Sequence, residues 1–163
     1  MMKRPRGLTL LELAMVLAVL AVLSALAVPS LAAHLERQRV QGAAEGLAAD
    51  LTEARFEAAR RGAPLYVETA AGADWCWSVA TAPGCDCGQQ QSCQVHRVRA
   101  ADHRGTRLVQ GLSVALQPIG AAQTPQAALL ETGRGERLRV EVSALGRPRV
   151  CAVSGTWPRI APC

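Results

Sequence analysis

Gly7-Leu8-Thr9-Leu10-Leu11-Glu12-Leu13 leads into a run of 21 residues without a charge, Leu13 to Ala33. A helix of about 20 apolar residues spans the hydrocarbon core of a bilayer. Lys3, Arg4 and Arg6 precede the run, and this cationic flank holds that end on the cytoplasmic side. A secretory signal would carry a shorter apolar stretch and a small-x-small cleavage site. Here the nearest candidate, Ala25-Leu26-Ala27, is followed by more helix-like sequence. A plain anchor leaves Glu12 unexplained, because a carboxylate at the start of a span is costly unless it has a partner or a task.

The helical pattern continues beyond the apolar run. His34 to Arg61 is rich in Ala, Leu, Glu, Arg and Gln, all good helix formers, with Gly42 and Gly46 as exceptions. Val40, Ala44, Leu47, Leu51, Ala54 and Ala58 recur at steps of three and four and form one apolar stripe. Gly62 followed by Pro64 is a stop signal. One helix is expected over about residues 8–61. The rest reads as strands: short alternating or β-branched runs at 65–69, 76–80, 94–99, 107–110, 112–117, 137–142 and 147–153, bounded by Gly, Pro and Asp. In 137–142, Leu138, Val140 and Val142 share one face. The expected class is α+β, a long N-terminal helix whose first half spans the membrane, packed on an antiparallel sheet domain. Its divisions are a leader (1–7), a membrane or filament-core helix (8–33), an amphipathic continuation (34–62) and a β-rich head with a C-terminal tail (63–163).

Composition adds constraints. The 163 residues are 50% hydrophobic but only 3% aromatic, so little is expected from stacking or from large anchoring side chains. Six cysteines compensate as cross-links in a small domain held outside the cytoplasm. Cys151–Cys163 would tie down the last residue. Among Cys76, Cys85, Cys87 and Cys93, a Cys85–Cys87 bond makes a very tight ring. Of the two remaining pairings, Cys76–Cys85 with Cys87–Cys93 is the expected one. A zinc site is the rival reading, but the four clustered cysteines lack paired C-x2-C knuckles. No metal or other cofactor is called for. His34, His96 and His103 are scattered, and the sequence has no Gly-x-Ser-x-Gly, no phosphate-binding loop and no dinucleotide fingerprint, so an enzyme is not expected.

The N-terminal motif resembles the type IV pilin signal sequence. In that family a prepilin peptidase cuts after the glycine and the new N-terminus is methylated. The resemblance therefore assigns cleavage to the Gly7–Leu8 bond and methylation to Leu8, where most members have Phe. It places Glu12 at the family's glutamate and Pro29 at its helix-kinking proline. In the assembled filament, the Glu12 carboxylate would meet the free amine of a neighbouring subunit. A second stretch, Leu51-Thr-Glu-Ala-Arg55-Phe-Glu-Ala-Ala-Arg60-Arg61-Gly-Ala-Pro-Leu-Tyr-Val, resembles the GspH/FimT-type minor pilins. The partners implied are the prepilin peptidase, the inner membrane and other pilins, with the head carried from the periplasm to a surface pilus.

The C-terminal third carries the remaining signal. Residues 97–163 hold ten arginines against four acids. Gly146-Arg147-Pro148-Arg149 reads as a turn with exposed guanidinium groups, and it also resembles the Gly-Arg-x-Arg stretch of FimT-type minor pilins, which bind DNA in natural transformation. That resemblance makes Gly146, Arg147, Arg149 and Arg159 candidate DNA contacts, with Arg134, Arg137 and Arg139 extending a basic stripe. Trp157 is a candidate for stacking on a base, and a half-buried packing role is its other reading. Binding would be to phosphates, independent of sequence. The alternative role is a purely structural pseudopilin of a type II secretion system, or a pilus-priming subunit.

Overall fold

The computed structural model describes residues 9–119, 122 and 126–163. Gly7 and Leu8, with the rest of the leader, lie outside the described residues. The chain divides into two compact units between Leu35 and Glu36.

Helix α1 runs from Leu10 to Arg61 and is continuous through Pro29. Its start is set by Thr9, whose Oγ1 accepts a hydrogen bond from the Glu12 N–H at 3.2 Å. Thr and Glu at this spacing are a helix-capping pair. Its end is set by Gly62, which has a φ of 65°, while the Ala63 N–H reaches back to the Ala58 carbonyl at 3.3 Å. This is the glycine-terminated cap expected one residue past a helix. Glu57 accepts hydrogen bonds from Arg60 and Arg61 in the last turn, and these hold its carboxyl down at about 2.

The head builds two four-stranded antiparallel sheets. Strands β1 (Leu65–Ala70), β2 (Cys76–Ala80), β3 (Gln94–Arg99) and β5 (Ser113–Leu116) form one sheet, ordered β3-β2-β1-β5. Strands β4 (Thr106–Gln110), β6 (Gln126–Thr132), β7 (Arg137–Val142) and β8 (Pro148–Ser154) form the other, ordered β4-β6-β7-β8. β6 is the strand that the sequence pattern does not reveal. Its Ala-Ala-Leu-Leu centre has no β-branched residue, and it becomes a strand by pairing on both sides, with β4 and β7.

The core lies under the second half of α1. Val40, Ala44, Leu47, Leu51, Ala54 and Ala58 are buried as the stripe predicts, joined by Ala43. The alanines allow close approach, and Leu65, Val67, Leu116, Leu130, Leu138 and Val140 fill the space beneath. Trp75 and Trp77 overturn the expectation drawn from low aromatic content. Both are fully buried and stacked, with ring centroids 5.4 Å apart and planes within 10°. Each indole N–H has an acceptor: the Thr106 carbonyl at 2.7 Å for Trp75, and Asp50 Oδ2 on α1 at 2.6 Å for Trp77. Two tryptophans thus supply the anchoring that composition argues against.

The disulfides are Cys76–Cys87, Cys85–Cys93 and Cys151–Cys163. The first two correct the expected Cys76–Cys85 and Cys87–Cys93. After β2 the chain turns at Gly84 (φ 72°) and retraces its path. The Ser78 hydroxyl donates to the Cys85 carbonyl, so Cys85 lies level with Ser78 and Cys87 returns level with Cys76. Cys93 is left for Cys85. Sequence separation alone carries no information about this retracing.

Three outcomes follow from this packing. Asp50→Ala leaves the buried Trp77 N–H without an acceptor and lowers stability by about 1–3 kcal/mol, whereas Asp50→Asn retains most of it. Thermal unfolding of the detergent-solubilised chain followed by circular dichroism measures both. Mass spectrometry of unreduced peptides recovers Cys76 linked to Cys87. Removing the Cys151–Cys163 bridge by double serine substitution costs about 2–4 kcal/mol in the same melt.

Candidate functional site

The β7–β8 turn forms because Ser143, Ala144, Leu145 and Gly146 close on themselves. The Gly146 N–H donates to the Ser143 carbonyl at 2.8 Å, and the Arg147 N–H donates to Ser143 Oγ at 3.2 Å. Gly146 is buried with a φ of 70°, a conformation that side chains resist. Its role in the site is therefore to aim the chain so that Arg147 emerges exposed. Arg147 and Arg149 both line a cleft of about 570 Å³, together with Glu141, Val142 and Pro148.

The candidate arginines from Arg134 to Arg149 run along β7, its flanking turns and β8, with acids interspersed among them. Arg134 sits on the β6–β7 turn, at the opposite end of β7, and pairs with Glu36 of α1 at 3.5 Å. Arg137 pairs with Glu131 at 2.7 Å. Glu141 receives both Arg139 (3.4 Å) and Arg149 (3.1 Å). This follows from register, because Glu141 lies opposite Arg149 across the β7–β8 ladder. Among the described residues, no ion pair engages Arg147 or Arg159. Both side chains are exposed.

The tail folds back along β8. The Ala152 N–H donates to the Ala161 carbonyl at 2.8 Å, the Cys163 N–H donates to the Ala152 carbonyl at 3.0 Å, and the Cys151–Cys163 bridge locks the return. Arg159 is exposed on the turn from Trp157 to Ile160, with a φ of 68°. Trp157 is buried, 6% exposed, and its Nε1 donates to the Ser154 carbonyl at 2.7 Å. It packs beneath the tail, and its ring is closed to a base.

Phe56 is an aromatic that sequence reasoning misses. It is 61% exposed on α1, away from the buried stripe, with the Arg55 guanidinium 5.2 Å from its ring centre. Together with Ile119, Leu145 and Arg147 these residues line a pocket of about 310 Å³. The signal is present as a large aromatic on the polar face of an amphipathic helix.

In the other compact unit, the Glu12 side chain is exposed and no ion pair engages it among the described residues. Its backbone N–H donates to Thr9 Oγ1. Among the described side chains from Leu10 to Leu31, the large apolar ones are exposed, and the length and composition of the segment suit a membrane crossing. All six cysteines are in disulfides, so none is available as a metal-binding thiolate.

Comparison with known proteins gives concordant results. The sequence profile described as Type II transport protein GspH matches residues 43–146, and the profile described as Prokaryotic N-terminal methylation motif matches residues 2–28. The pilin-like protein PilA1 of Thermus thermophilus is 33% identical over 154 residues, covering 89% of this chain and 97% of that relative. The type IV minor pilin FimU of Pseudomonas aeruginosa superposes with a TM-score of 0.54 at 17% identity, covering 74% of this chain and 98% of the other.

Proposed function

Because the chain belongs to the GspH family, as a type IV minor pilin or pseudopilin, we propose that its head captures DNA without sequence preference for uptake in natural transformation. It is a structural component that assembles with other pilins. Its N-terminal apolar helix anchors it in the inner membrane before assembly, and the head faces the periplasm. The observation that carries the DNA reading is Arg147, an exposed guanidinium group set on a glycine-aimed turn with no carboxylate partner among the described residues. Arg149 joins it, since its bond to Glu141 is an exposed pair that a phosphate can displace at little cost. Guanidinium forks suit phosphate oxygens. Arg159 adds charge on the tail turn. Arg134, Arg137 and Arg139, each held by a carboxylate, contribute less than a continuous basic stripe implies.

The same ion pairs favour a second reading. Four of the seven residues assigned to DNA (Arg134, Arg137, Arg139 and Arg149) hold the head together by binding its own acids. A head stabilised in this way also suits a purely structural pseudopilin of a type II secretion system or a pilus-priming subunit.

In the membrane unit, we place peptidase cleavage between Gly7 and Leu8 and methylation on Leu8. The Glu12 carboxylate then binds the freed amine of a neighbouring subunit during assembly. In a medium of low dielectric, an unpaired carboxylate is costly, so such a pair fixes register. Pro29 withholds one backbone N–H from the helix ladder, giving a place for the filament helix to bend.

Gel shifts of the detergent-solubilised chain with duplex DNA separate the two readings. Capture predicts binding that weakens steeply with salt. Arg147→Gln with Arg149→Gln weakens it further and makes the log–log salt slope shallower by about 2. Absence of any shift at low salt supports the structural reading. For assembly, Glu12→Ala leaves cleavage intact on an immunoblot but removes the chain from sheared pili. Normal incorporation of that variant rules out the pairing.

A further inference from the structure

The pocket beside Arg147 differs in chemistry from a phosphate-binding strip. Its floor and walls are Phe56, Ile119 and Leu145, exposed by 61%, 88% and 63%. Large apolar side chains grouped in this way on a folded head usually mark a contact surface. Two cations border them, Arg55 on α1 and Arg147 on the β7–β8 turn, and no ion pair engages either among the described residues. Glu53 lines a neighbouring cleft that Phe56 also borders, with Ala48, Thr52 and Pro148. Negative charge is therefore disfavoured there and favoured along the side bordered by Arg55 and Arg147.

We propose that this pocket receives an unstacked nucleobase, so that the head prefers single-stranded DNA, or the frayed end of a duplex, over a closed duplex. The proposal rests on the DNA reading above and assigns the substrate class. The Arg55 guanidinium lies over one face of the Phe56 ring, so a base would stack on the other face, with Ile119 and Leu145 as apolar neighbours in the same pocket. Arg55 and Arg147 neutralise the phosphates on either side of the extruded nucleotide. An aromatic platform beside unpaired guanidinium groups is the general solution for single strands, because every base has a π-face and every link a phosphate. A pocket of about 310 Å³ suits one planar ring. A stable protein partner would need a broader contact than this pocket, of the order of 800 Å² of surface from each side. A closed duplex keeps its bases stacked and offers only phosphates, so it would engage Arg147 and Arg149 and leave Phe56 unused.

The test uses the detergent-solubilised full chain and two probes: a single-stranded oligonucleotide carrying one fluorescent aminopurine, and a hairpin duplex of equal charge. Wild-type chain binds the single strand more tightly and quenches the aminopurine through stacking. Phe56→Ala weakens single-strand binding roughly tenfold and abolishes quenching, with duplex binding unchanged. Phe56→Tyr restores both, and Phe56→Leu, which keeps apolar bulk without a ring, restores neither. Phe56 is exposed, so these variants keep the fold, and identical melting curves verify it. Unchanged single-strand binding in Phe56→Ala overturns the proposal. If duplex binding is still lost in the Arg147/Arg149 double variant, the DNA reading survives without it. Loss of the Phe56→Ala chain from pili with normal oligonucleotide binding identifies the patch as a pilin contact and also overturns it. Failure of both probes to bind wild-type chain removes the DNA reading, and the base pocket with it.

Discussion

The head depends on one packing constraint, the burial of an alanine- and leucine-rich stripe of α1 against two sheets. Ala43, Ala44, Leu47, Leu51, Ala54 and Ala58 are all essentially inaccessible. Small side chains at these steps bring the helix axis close to the strands, and interiors packed at this density accept little change. The stripe also fixes which helix faces remain outside. Asp50 is turned toward Trp77 on one flank, and Arg55 and Phe56 are turned outward on the other. The surface available for binding is thus what remains after the core has taken its share of the helix.

The ends of α1 are set by local chemistry, and for that reason the amino-acid sequence alone makes them legible. Gly62 and Pro64 stop the helix for reasons within a few residues, and Thr9 with Glu12 starts it in the same way. The alternation of Leu138, Val140 and Val142 is equally local. β6 is not visible, because Ala-Ala-Leu-Leu has no intrinsic reason to be extended, and neighbours on both sides impose that state. The tryptophan pair escapes for a related reason. A percentage counts aromatic residues but not their placement, and Trp75 and Trp77 are concentrated at a single point. The disulfide pairing depends on the direction in which residues 81–93 retrace β2, which spacing does not encode.

The candidate site is legible in kind and blurred in extent. The Gly146–Arg149 turn stands where its residues indicate. Arg134, Arg137 and Arg139 are each joined by a carboxylate: Arg139 by Glu141 two residues on in the same strand, Arg137 by Glu131 across the β6–β7 hairpin, and Arg134 by a helix residue 98 positions earlier. A charge count treats every arginine alike, whereas tertiary structure separates those engaged by internal acids from those left over. The same folding step that neutralises three arginines sets Phe56 and Arg55 in one pocket with Arg147, across a sequence distance of about 90 residues.

Glu12 illustrates how one residue serves two requirements without conflict. Its N–H is the third in the helix and would have no partner within α1, and Thr9 supplies one. That bond uses the backbone alone, and no ion pair engages the carboxylate among the described residues. Under the assembly proposed above, a cation from another subunit would meet a carboxylate with no internal bond to break first. Any acid with a partner already inside the helix would have to surrender it on assembly, and its pairing would be weaker by that amount. On the assembly proposed above, the capping threonine would contribute by satisfying the backbone N–H and leaving the side chain available.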